Sequence, residues 1–238
     1  MRLNNYISAT GLCSRREADQ YIIDRRVTVN GELAELGMQI GEEDQVTLDG
    51  NLLTPKSEFV TIAYHKPVGI ICTSETEVEG NIIDAIGYPE RIFPIGRLDK
   101  DSEGLILLTN DGSIVNRILR AENSHDKEYI VNVTRPLGKN FKSSMERGLD
   151  IYNPVKHEVQ QTKPCVVKIL SPTTFMITLN QGLNRQIRRM CSVLDYRIVR
   201  LKRERIMNIN LGSLPKGKWR KLTPDELSGM LAMLDKEE

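Results

Sequence analysis

The segment Gly96-Arg97-Leu98-Asp99-Lys100-Asp101-Ser102-Glu103-Gly104 is bracketed by glycines, dense in charge, and runs directly into the apolar stretch Leu105–Thr109. A short apolar run of this kind predicts an interior strand, so the chain must build a core around it and leave a charged loop at its mouth. That loop holds Asp99 between Arg97 and Lys100, the position a catalytic carboxylate would take. Two plainer explanations compete. Acidic residues gather near glycine in ordinary turns, and the acids at positions one, three and five counted from Asp99, with Gly104 at six, imitate a calcium loop. The calcium pattern fails at position twelve, which is Asn110 rather than a bidentate Glu, and the following run predicts a strand instead of an exiting helix.

With 238 residues, 39% hydrophobic and 27% charged, the chain can bury a sizeable core as one large domain or two unequal ones. Cys13, Cys72, Cys165 and Cys191 form no C-x-x-C pair, and His65, His125 and His157 show no ligand spacing, so neither a disulfide framework nor a metal site is expected. The opening Met1-Arg2-Leu3-Asn4-Asn5 has no apolar signal core, and no window approaches the ~18 apolar residues that span a bilayer. The expectation is a soluble, cytoplasmic monomer with reduced thiols and no membrane partner.

The formal net charge of +1 hides a segregation. Residues 1–59 carry six Lys/Arg against ten Asp/Glu, a balance of −4 that leaves +5 for the rest. Residues 184–221 carry twelve Lys/Arg against only Asp195 and Glu204, a local +10. Because Ile187, Met190, Leu194, Ile198, Leu201, Ile206 and Trp219 interleave these charges, the block is expected to be a folded basic surface rather than a tail. Nucleic acid is its expected partner, since clustered cations gain by displacing counterions from phosphates. Arg189, Arg200 and Arg203 are the candidate contacts within it.

Residues 1–54 form a separate small module in this reading, ending at the polar, proline-broken stretch Thr54-Pro55-Lys56-Ser57-Glu58. Asn4 is placed to cap a short helix that ends at Gly11, and Ser14-Arg15-Arg16-Glu17 is a capping box opening a second helix. Val27-Thr28-Val29 then meets Asn30-Gly31, and Val46-Thr47-Leu48 meets Asp49-Gly50, both strong hairpin turns. Arg15, Arg16, Arg25 and Arg26 gather around the second helix, either as a face for RNA or as a solvated, ion-paired surface. Residues 60–238 form the larger unit. Strands are predicted at 60–64, 105–109, 129–134, 165–170, 174–179 and 206–211, and helices near 112–121, 139–147, 184–194 and 224–234. The mixture implies an α+β class.

Three further groups of residues stand out. Tyr64-His65-Lys66-Pro67-Val68-Gly69 ends a strand in a rigid turn, where Lys66 is either a ligand contact or simply part of the turn. Lys127-Glu128-Tyr129 opens a strand with an aromatic that is either core or a platform for a base. In Gln181-Gly182-Leu183-Asn184-Arg185-Gln186-Ile187-Arg188-Arg189-Met190, Asn184 is the expected cap of a helix whose Ile187 and Met190 point inward while its arginines fan outward, one of them within reach of a buried carboxylate.

The N-terminal module resembles the S4 RNA-binding domain through Arg2-Leu3-Asn4, Ser14-Arg15-Arg16-Glu17-Ala18 and Val27-Thr28-Val29-Asn30-Gly31. The resemblance implies phosphate contacts from Arg15 and Arg16. It also exposes a departure, since Arg25-Arg26 stand where many such domains carry glycine. The whole chain resembles the pseudouridine synthases of the branch containing small-subunit synthase A and large-subunit synthases B, E and F. The Lys-Pro-x-Gly turn, Gly-Arg-Leu-Asp loop, Lys-x-Tyr strand and Arg-Gln-Ile-Arg helix occur in the family's order, and finer features look most like the large-subunit synthase F subfamily. This implies a smaller S4-like domain followed by a mixed, mostly antiparallel-sheet domain with flanking helices.

The implied reaction cleaves the N1–C1′ bond of uridine, turns the uracil and rejoins it through C5, with no cofactor or metal. The resemblance assigns the essential carboxylate, as nucleophile or as base on the ribose, to Asp99, and makes Arg188 its ion-pair partner. Tyr129 and Ile187 would hold the extruded base between them, Arg97 would fill the vacated position, and Lys66 and Arg185 would contact substrate. Large-subunit (23S) ribosomal RNA is the expected target, with a transfer RNA stem-loop or small-subunit RNA as the alternative. Two rival classes are a non-catalytic RNA-binding assembly factor, in which Asp99 is idle, and an N-glycosidic hydrolase, which would release free uracil.

Overall fold

The computed structural model describes residues 1–54, 58–120, 125–154 and 157–235. The N-terminal part runs α1 (Leu3–Ala9), α2 (Arg15–Ile23), β1 (Val27–Val29), β2 (Glu32–Leu33), β3 (Val46–Leu48) and β4 (Asn51–Leu52). Its strands form an antiparallel sheet in the order β2-β1-β3-β4. Asn30 and Gly31, and likewise Asp49 and Gly50, take positive φ, which twists each two-residue loop to match its strands. The Ser14 box closes as expected: Glu17 N donates to Ser14 Oγ (3.1 Å) and Ser14 N to Glu17 Oε2 (2.5 Å). Asn4 does not cap α1. Arg2 holds the N-cap position because Leu3 N donates to Met38 O (2.9 Å), a tertiary tie that sets where the helix begins. Asn4 instead reaches across to Asp19 Oδ1 (2.9 Å) and joins α1 to α2. Leu3, Ile7, Ala18, Ile22, Val27 and Val46 make a core of their own. Of the expected boundary stretch Thr54–Glu58, residues 55–57 lie outside the described residues.

The larger part runs β5 (Thr61–Lys66), α3 (Ile82–Ile86), β6 (Phe93–Ile95), β7 (Glu103–Thr109), α4 (Gly112–Arg120), β8 (Lys127–Val133) and α5 (Phe141–Glu146). It continues with β9 (Asp150–Asn153), β10 (Glu158–Gln161), β11 (Val166–Ser171), β12 (Thr174–Leu179), α6 (Gln186–Val193), β13 (Ile198–Ile206), β14 (Ile209–Asn210), β15 (Trp219–Lys221) and α7 (Pro224–Asp235). The class is α+β. The main sheet has the order β11-β12-β8-β13-β7-β5-β15, with β14 on β13 and β6 on β7. Among the described pairs of strands, β13 with β7 is parallel and the others are antiparallel.

β7 lies inside this sheet and is buried from end to end. Ile106 and Leu108 join a cluster covered by α3, α5 and α6, while Leu105 and Leu107 join a second one covered by α4 and α7. That double cover explains the unbroken apolar run: a strand with helices on both faces has no solvent side. The strand expected at 206–211 is displaced. β13 ends at Ile206, Met207 turns at φ 52°, and β14 pairs back. The preceding residues, read as a basic surface, are a central strand. Its charges are accommodated in pairs such as Lys202 with Glu204 (2.7 Å). Residue 121, the expected end of the helix at 112–121, lies outside the described residues.

Candidate active site

The Asp99 loop is pinned from several directions before any side chain is considered. Ser102 N donates to Asp99 O (3.0 Å), Gly69 N to Lys100 O (2.8 Å), and Leu98 N approaches Cys72 Sγ at 3.4 Å. Lys66 is fully buried beneath it, with Nζ donating to Ser102 O and Pro67 O, both at 2.8 Å. Burial pushes the Lys66 amine below its ordinary value. Lys66 therefore meets the loop's backbone from within rather than from the surface. The loop leaves through Gly104, at φ 112°, where a Cβ would run into the backbone of Arg203. No other residue lets β7 and β13 approach so closely here.

α6 meets this loop with its arginines. Arg185, its N-cap, sits in the left-handed region (φ 51°, ψ 32°) without a side-chain cap. It grips Asp101 with both Nη atoms (3.1 and 3.0 Å) and stands 3.5 Å from Asp99 Oδ2. Arg188 donates through Nη2 to Asp101 O (2.8 Å) and Ser102 Oγ (3.1 Å), and its Nε faces Asp99 Oδ2 at 3.7 Å. That Nε is buried and has no hydrogen-bond partner. At 3.7 Å the pair is an ionic contact rather than a hydrogen bond. Burial raises the pKa of Asp101, but the bond from Arg185 and the charge of Arg188 outweigh it and hold the carboxyl below its ordinary value. The expected Asn184 cap is absent. Asn184 accepts from Arg189 instead, and Gln186 Oε1 takes the N–H of Leu183 (3.2 Å) at the helix entrance.

Tyr129 on β8 pairs with Arg203 on β13 and is almost buried, in the same cluster as Ile187. Arg203 was expected at the RNA-facing surface, yet it is 4% exposed. Its Nε donates to Leu105 O (2.7 Å), and its guanidinium lies 3.5 Å from the Tyr129 hydroxyl and 5.9 Å from the ring centroid. In a strand every second residue points to the same face, and Arg203 falls with Leu201 on the inner one. It positions Tyr129 and Leu105. Arg189 is half-buried and bonded to the exposed Asn184, while Arg200 is exposed but tied to Glu103. Arg97 is exposed, without a hydrogen bond or ion pair to a described residue. Arg15 and Arg16 are likewise exposed on α2; Arg26 is exposed too but bound to Asp49 at 2.6 Å. The sequence reading missed Asp101 as the anchor of Arg185, Cys72 beneath the loop, and Glu103. The signal for Glu103 was an acid at the mouth of an apolar strand, which must be paired if buried.

A small module with its own core thus precedes a mixed sheet that presents a carboxylate loop, two arginines and a recessed tyrosine. The family model described as RNA pseudouridylate synthase matches residues 60–193, and the S4 domain model matches residues 1–46. The chain belongs to the RNA pseudouridine synthases, enzymes that isomerise uridine in RNA, and carries an N-terminal S4 domain. It is 48% identical over 237 residues to the dual-specificity RNA pseudouridine synthase RluF of Escherichia coli (strain K12), covering 99% of this chain and 80% of that protein. It is 34% identical to the ribosomal large subunit pseudouridine synthase B of Bacillus subtilis, over 98% of this chain and 97% of the relative. A solved structure titled as a pseudouridylate synthase superposes with a TM-score of 0.70 at 30% identity, covering 97% and 99% of the two chains. Among the described residues no helix is long and apolar enough to cross a membrane.

Proposed function

We propose that this protein converts a specific uridine of structured RNA to pseudouridine in the cytoplasm, with large-subunit (23S) ribosomal RNA as the first target and a transfer RNA stem-loop as the second. The observation that carries the site assignment is Asp99 Oδ2, half-exposed and within 3.5 and 3.7 Å of two guanidiniums, on a loop pinned by Lys66 and Gly69. The dual-specificity name of the 48% identical relative supports two RNA targets.

In this reading the nucleotide is extruded from its stack at a cost of a few kcal/mol, with Arg97, an exposed cation of the loop that has no ion pair to a described residue, taking the vacated place. The uracil lies between Tyr129 and Ile187. Asp99 attacks or deprotonates the ribose, the N1–C1′ bond breaks, the base turns, and C5 bonds to C1′. The C5 proton leaves and N1 gains one, so no redox partner or net water is needed. Arg188 orients Asp99, and Arg185 is shared between Asp99 and Asp101. Phosphate contacts come from Arg15 and Arg16 on the S4 domain.

Pseudouridine mapping of ribosomal and transfer RNA from cells lacking the protein, complemented by wild type or Asp99→Asn, tests this. One or a few sites should vanish and return only with wild type. Full restoration by Asp99→Asn would move the protein to a non-catalytic role, and release of free uracil would make it a hydrolase.

A further inference from the structure

Glu103 is the first residue of β7, directly after the Asp99 loop, and is 2% exposed. Its two oxygens are taken by different cations: Oε1 by Arg200 Nε and Oε2 by Lys216 Nζ, each at 2.5 Å. A buried carboxylate needs one positive partner to balance its charge; this one has two, and the trio is left at +1. Both cations remain accessible, with side chains 51% and 52% exposed. Arg200 uses only Nε on Glu103, so its Nη atoms, like the other Lys216 donors, make no hydrogen bond or ion pair to a described residue.

The backbone is built to hold this arrangement. β13 has a bulge between Ile198 and Arg200, leaving Val199 out of the ladder and 69% exposed, and bulges re-aim the next side chain. The Gly104 contact closes β7 onto β13 beside Glu103. Lys216 is delivered by the loop whose Gly217 N bonds His65 O (2.9 Å) and whose Leu214 O meets His65 Nδ1 (2.8 Å). Leu105 and Leu214 belong to the second hydrophobic cluster, whereas Tyr129 and Ile187 belong to the first, so the trio lies across the sheet from the proposed base pocket.

We infer that Glu103 holds Arg200 and Lys216 as a preorganised fork for one phosphate of the RNA backbone, on the face of the sheet opposite the base pocket. The inference rests on the reading above in taking RNA as the ligand. A guanidinium whose Nη edge is free and an ammonium beside it suit a phosphodiester better than a base edge. Because Glu103 follows Ser102, whose carbonyl is held by Lys66, a phosphate on the fork also fixes the RNA relative to Asp99.

The test is binding of the full-length protein to a stem-loop of G·C pairs with an all-adenine loop, titrated across potassium chloride concentrations. That probe contains no uridine, so the result is independent of whether isomerisation occurs. Arg200→Gln and Lys216→Gln should each weaken binding roughly fivefold, and the double variant should lower the slope of log K against log salt by about 0.7–0.9, one phosphate's worth. Glu103→Gln decides between positioning and mere charge: it raises the local charge by one, yet affinity should fall because the cations lose their anchor. Tighter binding by Glu103→Gln would overturn the fork. So would an unchanged salt slope in the double variant with a lowered melting temperature, since the trio would then be a structural ion pair only.

Discussion

Asp99 and Glu103 lie four residues apart and are held in opposite ways. Glu103 is buried, each oxygen bonded at 2.5 Å, whereas the Asp99 side chain is 29% exposed and its nearest cations stand at 3.5 and 3.7 Å. The difference follows from what each must do. A buried carboxylate without full partners costs several kcal/mol, so Glu103 is saturated. Asp99, proposed to meet the ribose, has two guanidiniums close by but is bonded tightly to neither. Asp101, between the two, takes the strong bidentate grip of Arg185 and leaves Asp99 the loose contact.

The largest effect that would separate these roles comes from Asp99→Asn, which should lower turnover by at least ~10³-fold with an unfolding midpoint close to wild type. A variant retaining a tenth of the activity would sink the assignment. Glu103→Ala should do the reverse in kind, costing about 2 kcal/mol of stability through lost charged hydrogen bonds, as read from urea unfolding. Tyr129→Phe should reduce turnover roughly 10²-fold with little change in RNA affinity, if the hydroxyl beside Arg203 assists proton transfer. Unchanged turnover would leave the ring as a stacking surface alone.

Acid should erase the special position of Glu103. Burial raises its pKa, but the bonds from Lys216 and Arg200 outweigh this and hold it below the ordinary value. Its contribution to stability is therefore complete above the unfolded glutamate value of about 4.3 and lost as pH falls through it toward the folded value. Unfolding curves of wild type and Glu103→Gln should converge in that window. A gap that persists in strong acid would show that packing, not charge, is lost. The smallest effect belongs to the S4 domain, where Arg25 sits at φ 58° in the place glycine often fills. Arg25→Gly should stabilise by about 0.5–1 kcal/mol and slightly weaken RNA binding; a loss of stability would mean that Arg25 packs usefully.

Much of the architecture was legible because it is locally encoded. The Ser14 capping box, the Asn30-Gly31 and Asp49-Gly50 hairpins and the buried run of β7 each depend on residues within a few positions of one another. Asn4 and Asn184 illustrate the opposite case. Both have good capping chemistry, but Met38 sets the start of α1 and Arg189 occupies Asn184, so each cap was overridden by a partner the local pattern does not contain. β13 was concealed for a related reason. Its Arg-Leu-Lys-Arg-Glu-Arg run is too polar to read as a central strand, and the acids that pair with it come from other strands as well as its own.

The order of the charged motifs determined the family, the mixed fold class and the loop that carries Asp99, because those depend on residue identity and local periodicity. Which cations are available to RNA was decided only by tertiary structure. Arg203 and Arg200 lie three positions apart in one basic stretch; strand alternation turns the first inward to Tyr129, while a bulge and Glu103 hold the second outward. Charge can be counted along a chain, but the face it occupies is set by pairing between strands far apart in sequence.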